Sequence, residues 1–200
     1  MKPHKILVHD FQFNPDNVQV DKIQDIRPRH LISGSQNPEH IGHEAAKDVS
    51  KELMKALSKT GIPVELVAPS TASCDDCLIV TGSFLSLKQG VKTERVVVGV
   101  GAGSAEVRSH VQVQLQTPKG PILISEFETS TTMAKNVGAG VTTAAGLNPA
   151  MAATRSTVSD RKKTVNAYAS KTGEAAAKQI RSAMAGLGWV KVDDKGKPVQ

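Results

Sequence analysis

The sequence predicts an α+β (mixed α/β) fold: a mostly antiparallel sheet of about five to six strands with two main helices packed on one face. Three observations carry that reading. Two stretches, from Asn37 to Lys59 and from about Asp160 to Leu187, repeat apolar residues at helical spacing. The segments between them hold short apolar runs or alternate with period two. Turn formers bracket each run, so strands follow one another with a helix at either side.

Ile6-Leu7-Val8, with Phe11 and Phe13 after it, reads as a largely buried first strand that ends at Asn14-Pro15-Asp16-Asn17. No period holds across residues 14–36, which read as a long irregular connection. Asn37-Pro38-Glu39 supplies an N-cap, a proline at the first helical position and an acid in the first turn. Ile41, Ala45, Val49, Leu53, Ala56 and Leu57 then share one face, and Gly61 stops the helix. Strands are expected at Val64–Val67, Cys77–Leu87 and Arg95–Val100, the last broken by Gly101-Ala102-Gly103-Ser104.

Val111, Val113 and Leu115 alternate with Gln112, Gln114 and Gln116, the pattern of a half-buried strand. Pro118-Lys119-Gly120 turns it back into Ile122-Leu123-Ile124 and Phe127 as a hairpin. Residues 137–155 are rich in Gly, Ala and Thr and read as a loop leading to the last helix. Val165, Tyr168, Ala169, Thr172, Ala176, Ile180, Ala183, Met184 and Leu187 mark the inner face of that helix, and Gly188 ends it. Residues 1–190 thus form one domain, and residues 191–200 a polar tail.

Composition narrows the function classes. The chain has 200 residues, a formal net charge of +6, and only four Phe, one Tyr and one Trp, so its core is aliphatic. The basic residues are dispersed, and the densest cluster is Arg161-Lys162-Lys163. Without aromatics beside them to stack bases, they read as a solvated surface, and no nucleic-acid partner is expected. No run approaches the ~20 apolar residues of a membrane-spanning helix. Met1-Lys2-Pro3-His4-Lys5 leads straight into the first strand. The chain as written therefore reads as cytoplasmic, with membrane association only through a lipidated leader outside it.

Candidate chemistry is sparse. Cys74-Asp75-Asp76-Cys77 is a C-x-x-C pair, read as a disulfide or a thiol pair according to compartment. It offers zinc only two ligands, and no second C-x-x-C or His-x-x-x-His completes the set, so no metal is assigned. Cys77 opens a strand, whereas a thioredoxin-type pair sits at a helix start, where the dipole lowers the thiol pKa.

Gly99-Val100-Gly101-Ala102-Gly103-Ser104 resembles a phosphate loop, with Arg95 as a nearby cation. A strand follows it instead of a helix, so a sharp turn is the plainer reading. His40, His43 and Glu44, with His30 upstream, fit neither order of the zinc-protease motif and read as solvated polar residues. No serine stands in Gly-x-Ser-x-Gly, and Asp10 reads as a capping carboxylate. No cofactor and no catalytic residue is assigned.

Three ordered blocks carry a family resemblance. They are Lys5-Ile6-Leu7-Val8-His9-Asp10-Phe11 with Pro15 after it; Leu78-Ile79-Val80-Thr81-Gly82-Ser83-Phe84, leading through Gly90 and Arg95 to Val98–Ser104; and the alanine-rich helix ending Gly186-Leu187-Gly188-Trp189. Together they resemble the bacterial domain-of-unknown-function family 4410 over nearly the whole chain. Members typically carry a signal sequence or lipoprotein leader, whereas this sequence begins where the mature domain would.

The resemblance implies a periplasmic or cell-envelope setting, in which the cysteine pair would be oxidised or inert, and brings no catalytic residues with it. The expected function is a non-enzymatic envelope accessory protein that binds an unknown envelope protein or itself. Its surface is expected at Arg95 with the Gly99, Gly101, Gly103 and Ser104 turn, or at Gly138–Ala153. The alternatives are a small-ligand or phosphate-binding module using the same turn, and a cytosolic thiol protein acting through Cys74 and Cys77.

Overall fold

A computed structural model describes residues 2–19, 37–68, 74–88, 105–132, 165–191 and Asp193. Its elements in chain order are β1 (Lys5–His9), a one-turn helix (Pro15–Asn17), β2 (Val18–Gln19), α1 (Pro38–Leu57), a one-turn helix (Ser58–Thr60), β3 (Val64–Val67), β4 (Cys77–Lys88), β5 (Glu106–Thr117), β6 (Gly120–Thr132) and α2 (Val165–Gly186). The strand expected at Arg95–Val100, the loop over 137–155 and most of the 14–36 connection lie outside the described residues, as does the helix start expected at Asp160.

The described sheet runs β3-β1-β4-β5-β6, with β2 on the β1 side of β4. It is mixed rather than purely antiparallel. β1 pairs in parallel with both β3 and β4, and β2 pairs in parallel with β4. Only β4–β5 and β5–β6 are antiparallel. The reason is topological: β1, α1 and β3 form a crossover unit, and a helix between two neighbouring strands returns the chain in its starting direction.

The expected break at Asn14 is real but brief. Asn14 caps the Pro15–Asn17 turn, accepting from the Asp16 amide at 3.0 Å. The chain then rejoins β4 as β2, Val18 opposite Leu87. Between the two strands Gln12 bonds β4 in both directions: its amide donates to the Gly82 carbonyl and its carbonyl accepts from Phe84 N. Residues 5–19 therefore track one edge of β4 along its length.

Ile6, Val8, Leu78, Val80, Val111, Val113 and Phe127 from the sheet join Val49 and Leu53 of α1 and Tyr168 and Ile180 of α2 in one core. Each such buried aliphatic contributes about 1.5–3 kcal/mol. Gly82 and Gly42 make room in it, since a Cβ at either position would strike the ring of Phe11 or Phe13 respectively.

α1 begins as the sequence predicts, with the Asn37 side chain accepting from the Glu39 amide at 3.0 Å and Pro38 in the first turn. It stops where expected, Gly61 adopting a left-handed φ of 76°. α2 ends in two bonds that close a left-handed cap: Gly188 N–H to the Ala185 carbonyl and Trp189 N–H to the Met184 carbonyl. That reversal carries Trp189 into the core and leaves Leu187, expected inside, 51% exposed. Ala183 is half-buried.

α2 also buries Thr172 and Arg181. Thr172 Oγ1 bonds Thr131 Oγ1 of β6 at 3.0 Å and the Tyr168 carbonyl at 2.9 Å. Ser109 and Thr129 pair their hydroxyls at 2.7 Å beside it. Arg181 Nη1 donates to the Ala56 carbonyl at 3.0 Å, serving the last turn of α1, where a cation is favoured. Burial lowers the Arg181 pKa from its ordinary value, and Asp193 opposes that shift.

The two helices meet at Gly173. A Cβ there would lie 2.6 Å from the Val49 carbonyl oxygen and 3.3 Å from Leu53 N, so the contact is with backbone that cannot rotate away. Gly173→Ala would gain about 1 kcal/mol in helix propensity and lose more to the clash, since overpacking costs about 1–3 kcal/mol and backbone contacts lie at the upper end. The expected outcome is a net loss of about 1–2 kcal/mol and a lower Tm in thermal unfolding. An unchanged or higher Tm would mean that the helices are not held this closely.

Candidate functional site

The described site residues gather at one end of the sheet. β1 and β4 run in parallel with Lys5 opposite Cys77, so the residue before β1, His4, meets the turn before β4. The His4 amide donates to the Asp76 carbonyl at 3.1 Å, and the Asp76 amide donates to the Gln116 carbonyl of β5 at 2.9 Å. The Cys74–Cys77 turn is thus clamped by both neighbours of β4. Asp76 completes it with a left-handed φ of 58°, a conformation that Asp tolerates better than most side chains.

Cys74 and Cys77 form a disulfide, with a Cα–Cα distance of 5.7 Å. Cys77 is fully buried, Cys74 is half-buried and His4 is exposed. His4 Nε2 lies 3.8 Å from Cys77 Sγ. Asp76 Oδ1, in the same turn, is buried without a hydrogen-bond partner among the described residues. Sequence reading found the cysteines but missed His4, 73 residues away from Cys77. The signal was available only through pairing: once β1 is set parallel to β4 in this register, His4 has nowhere else to go.

A second group lies on the sheet face away from the helices. β5 and β6 place Arg108 opposite Ser130 and His110 opposite Glu128, and the long side chains bond diagonally. Arg108 Nη2 donates to Glu128 Oε2 at 3.0 Å. Glu126 Oε1 accepts from His110 Nε2 at 2.8 Å and from Gln112 Nε2 at 2.9 Å. The Gln112 bond first, and the His110 bond after it, lower the Glu126 pKa below its ordinary value. A carboxylate held in its charged form by two donors is an acceptor in a ladder, not a proton donor poised for chemistry.

His110 and Gln112 also line a polar cleft of about 310 Å³ with His9, Asp10, Thr81 and Ser83. A larger cleft of about 900 Å³ lies between α1 and the segment after β1, floored by Phe11, Phe13, Met54 and Leu66. His43, read as a solvated residue, packs edge-on against Phe13 at 4.8 Å there. Asp10 borders both clefts. Arg95, Gly99, Gly101, Gly103 and Ser104, the expected binding turn, lie outside the described residues, as do His30 and Gly138–Ala153.

These features define an α+β domain with both described helices on one face of a mixed sheet, a polar ladder on the other, and a cross-linked turn at one end. The chain belongs to the domain-of-unknown-function family DUF4410, whose model matches residues 6–147. No curated protein matches it.

Among solved structures it is similar to a PelC dodecamer from Paraburkholderia phytofirmans, at 9% identity and a TM-score of 0.40, over 90% of this chain and 89% of that one. A protein of Xanthomonas campestris from domain-of-unknown-function family 330 matches at 8% identity and a TM-score of 0.42, over 94% and 90% of the two chains. A hypothetical protein of Chlamydia trachomatis matches at 11% identity and a TM-score of 0.37, over 69% and 76%.

The Glu126 network has a pH signature. Its carboxylate pKa is lowered in the folded chain, so the stabilisation is present above the unfolded value and is lost as pH falls through the folded one. Glu126→Gln should therefore flatten the acid limb of a Tm–pH profile and leave its alkaline limb in place. Superimposable acid limbs would show that the ladder holds no ionised Glu126.

Proposed function

We propose that this protein is a non-enzymatic accessory protein of the bacterial cell envelope that works by binding another envelope protein or a second copy of itself. The observation that carries the reading is the oxidised Cys74–Cys77 pair. Disulfides persist in the periplasm and on cell surfaces, and are reduced in the cytosol of most bacteria. Its placement fits a structural role, since the turn it closes is already bonded on both sides by His4 and Gln116.

The polar face supports the binding half of the proposal. Arg108 pairs with Glu128 at 3.0 Å, and His110 bonds Glu126 at 2.8 Å. A satisfied polar ladder of this kind suits docking through exchangeable hydrogen bonds, whereas catalysis requires groups held ready for a substrate. No helix among the described residues is long and apolar enough to cross a membrane.

Fractionation of the native host tests this directly, combined with thiol alkylation before and after reduction and with mass spectrometry of the intact protein. The expected result is recovery in the envelope or periplasm, with Cys74 and Cys77 alkylated only after reduction, and crosslinks to a second copy or another envelope protein. Recovery in the cytosol with both thiols free would overturn the proposal.

A further inference from the structure

We propose that the same corner is a redox-gated zinc site: when the disulfide is reduced, Cys74, Cys77 and His4 together bind one Zn²⁺ ion. The inference rests on the geometry of the corner and is independent of the envelope reading.

A C-x-x-C pair supplies two thiolates, which is half of a tetrahedral set. The fold supplies the third ligand. The ligand atoms of His4, Cys74 and Cys77 all lie within 4.8 Å of one another. Zinc bonds sulfur at ~2.3 Å and imidazole nitrogen at ~2.0–2.1 Å, so a tetrahedral site separates S from N by roughly 3.5 Å. His4 Nε2 stands 3.8 Å from Cys77 Sγ, within a small side-chain adjustment of that separation. The Cys74 side chain belongs to a turn whose left-handed Asp76 already folds the two cysteines toward each other.

Burial and charge agree with a three-ligand site that keeps one position open. Cys77 anchors the ion from inside, and Cys74 and the exposed His4 border it on the solvent side. The fourth position would take water, the arrangement of zinc sites that are not closed by four protein ligands. Two thiolates neutralise the ion. Asp75 and Asp76 lie between them in sequence, and the buried Asp76 Oδ1 has no hydrogen-bond partner among the described residues, which leaves an acceptor at the turn for a metal-bound water.

The chemistry balances in two steps. A dithiol or phosphine reductant delivers two electrons to the S–S bond, and the two sulfurs take up two protons as the reductant is oxidised. Zn²⁺ then displaces both thiol protons and forms two Zn–S bonds and one Zn–N bond. A disulfide oxidant reverses this by thiol–disulfide exchange: the S–S bond of the pair re-forms, the oxidant takes the two electrons and two protons and leaves as two thiols, and the ion is released.

The test uses the full chain, oxidised and phosphine-reduced, titrated anaerobically with Zn²⁺ against a chromophoric chelator, with Co²⁺ as a spectroscopic probe of thiolate ligation. The expected result is one equivalent bound by the reduced protein and none by the oxidised one, with a thiolate-to-Co²⁺ charge-transfer band. His4→Ala should weaken zinc by at least about tenfold, the smaller effect seen even for outer-shell partners. Cys74→Ser should halve the charge-transfer intensity; it is preferred to a Cys77 variant because Cys74 is only half-buried, and circular dichroism checks its fold. Absence of binding by the reduced protein would overturn the proposal, and so would affinity unchanged in His4→Ala.

Discussion

The fold depends on β4 being paired along both of its edges in opposite senses. One edge carries the parallel segment from β1 through Gln12 to β2, and the other carries antiparallel β5 over nearly the whole strand. A strand held this way cannot slip by one residue, because a slip exchanges its buried and exposed faces on both sides at once. Leu78, Val80, Phe84 and Leu87 are consequently fixed toward the core, with the register shift at Phe84/Ser86 keeping Leu87 inward where a strict alternation would turn it out.

That register sets the helix layer above it. α1 and α2 lie over the core face and must share it, which drives them together until backbone meets backbone at Gly173 and Val49. The close approach brings Arg181 within reach of the Ala56 carbonyl and Thr172 within reach of Thr131. Arg181 and Thr172 are buried here because their partners sit on neighbouring elements: the first bond ties the two helices together and the second ties the helix layer to the sheet. The aliphatic core, poor in aromatics, gains its specificity from these placed contacts more than from bulk.

Much of this was legible in the sequence, and what was missed has a common cause. Asn37-Pro38-Glu39 and Gly61 bounded α1, and the alternation from Val111 to Gln116 with its Pro118-Lys119-Gly120 turn gave the hairpin, because caps, turns and period are local signals. The parallel pairing of β1 with β3 is encoded in the order β1, α1, β3 but has no local signal, because a connection with no period separates β1 from α1. β2 escaped because two residues are too few to show alternation. Leu187 fits the helical period, but Gly188 reverses the chain just beyond it, and Trp189 takes the core place. At the site, the cysteine pair was visible from spacing alone and its imidazole neighbour was not, since parallel pairing is a long-range property that no local motif records.

The location of the corner follows from the same constraint. Because β1 and β4 are parallel, their N-terminal ends share one end of the sheet, and the Lys5–Cys77 register sets His4 beside the incoming turn. Cys77 belongs to the side of β4 opposite Leu78 and Val80, so its sulfur lies away from the aliphatic core, where a sulfur–sulfur bond or a charged ligand set is tolerable. A register one residue different would put Cys77 beneath the helices and part it from His4. The pairing that buries the core is therefore the pairing that brings His4 to the cysteine turn.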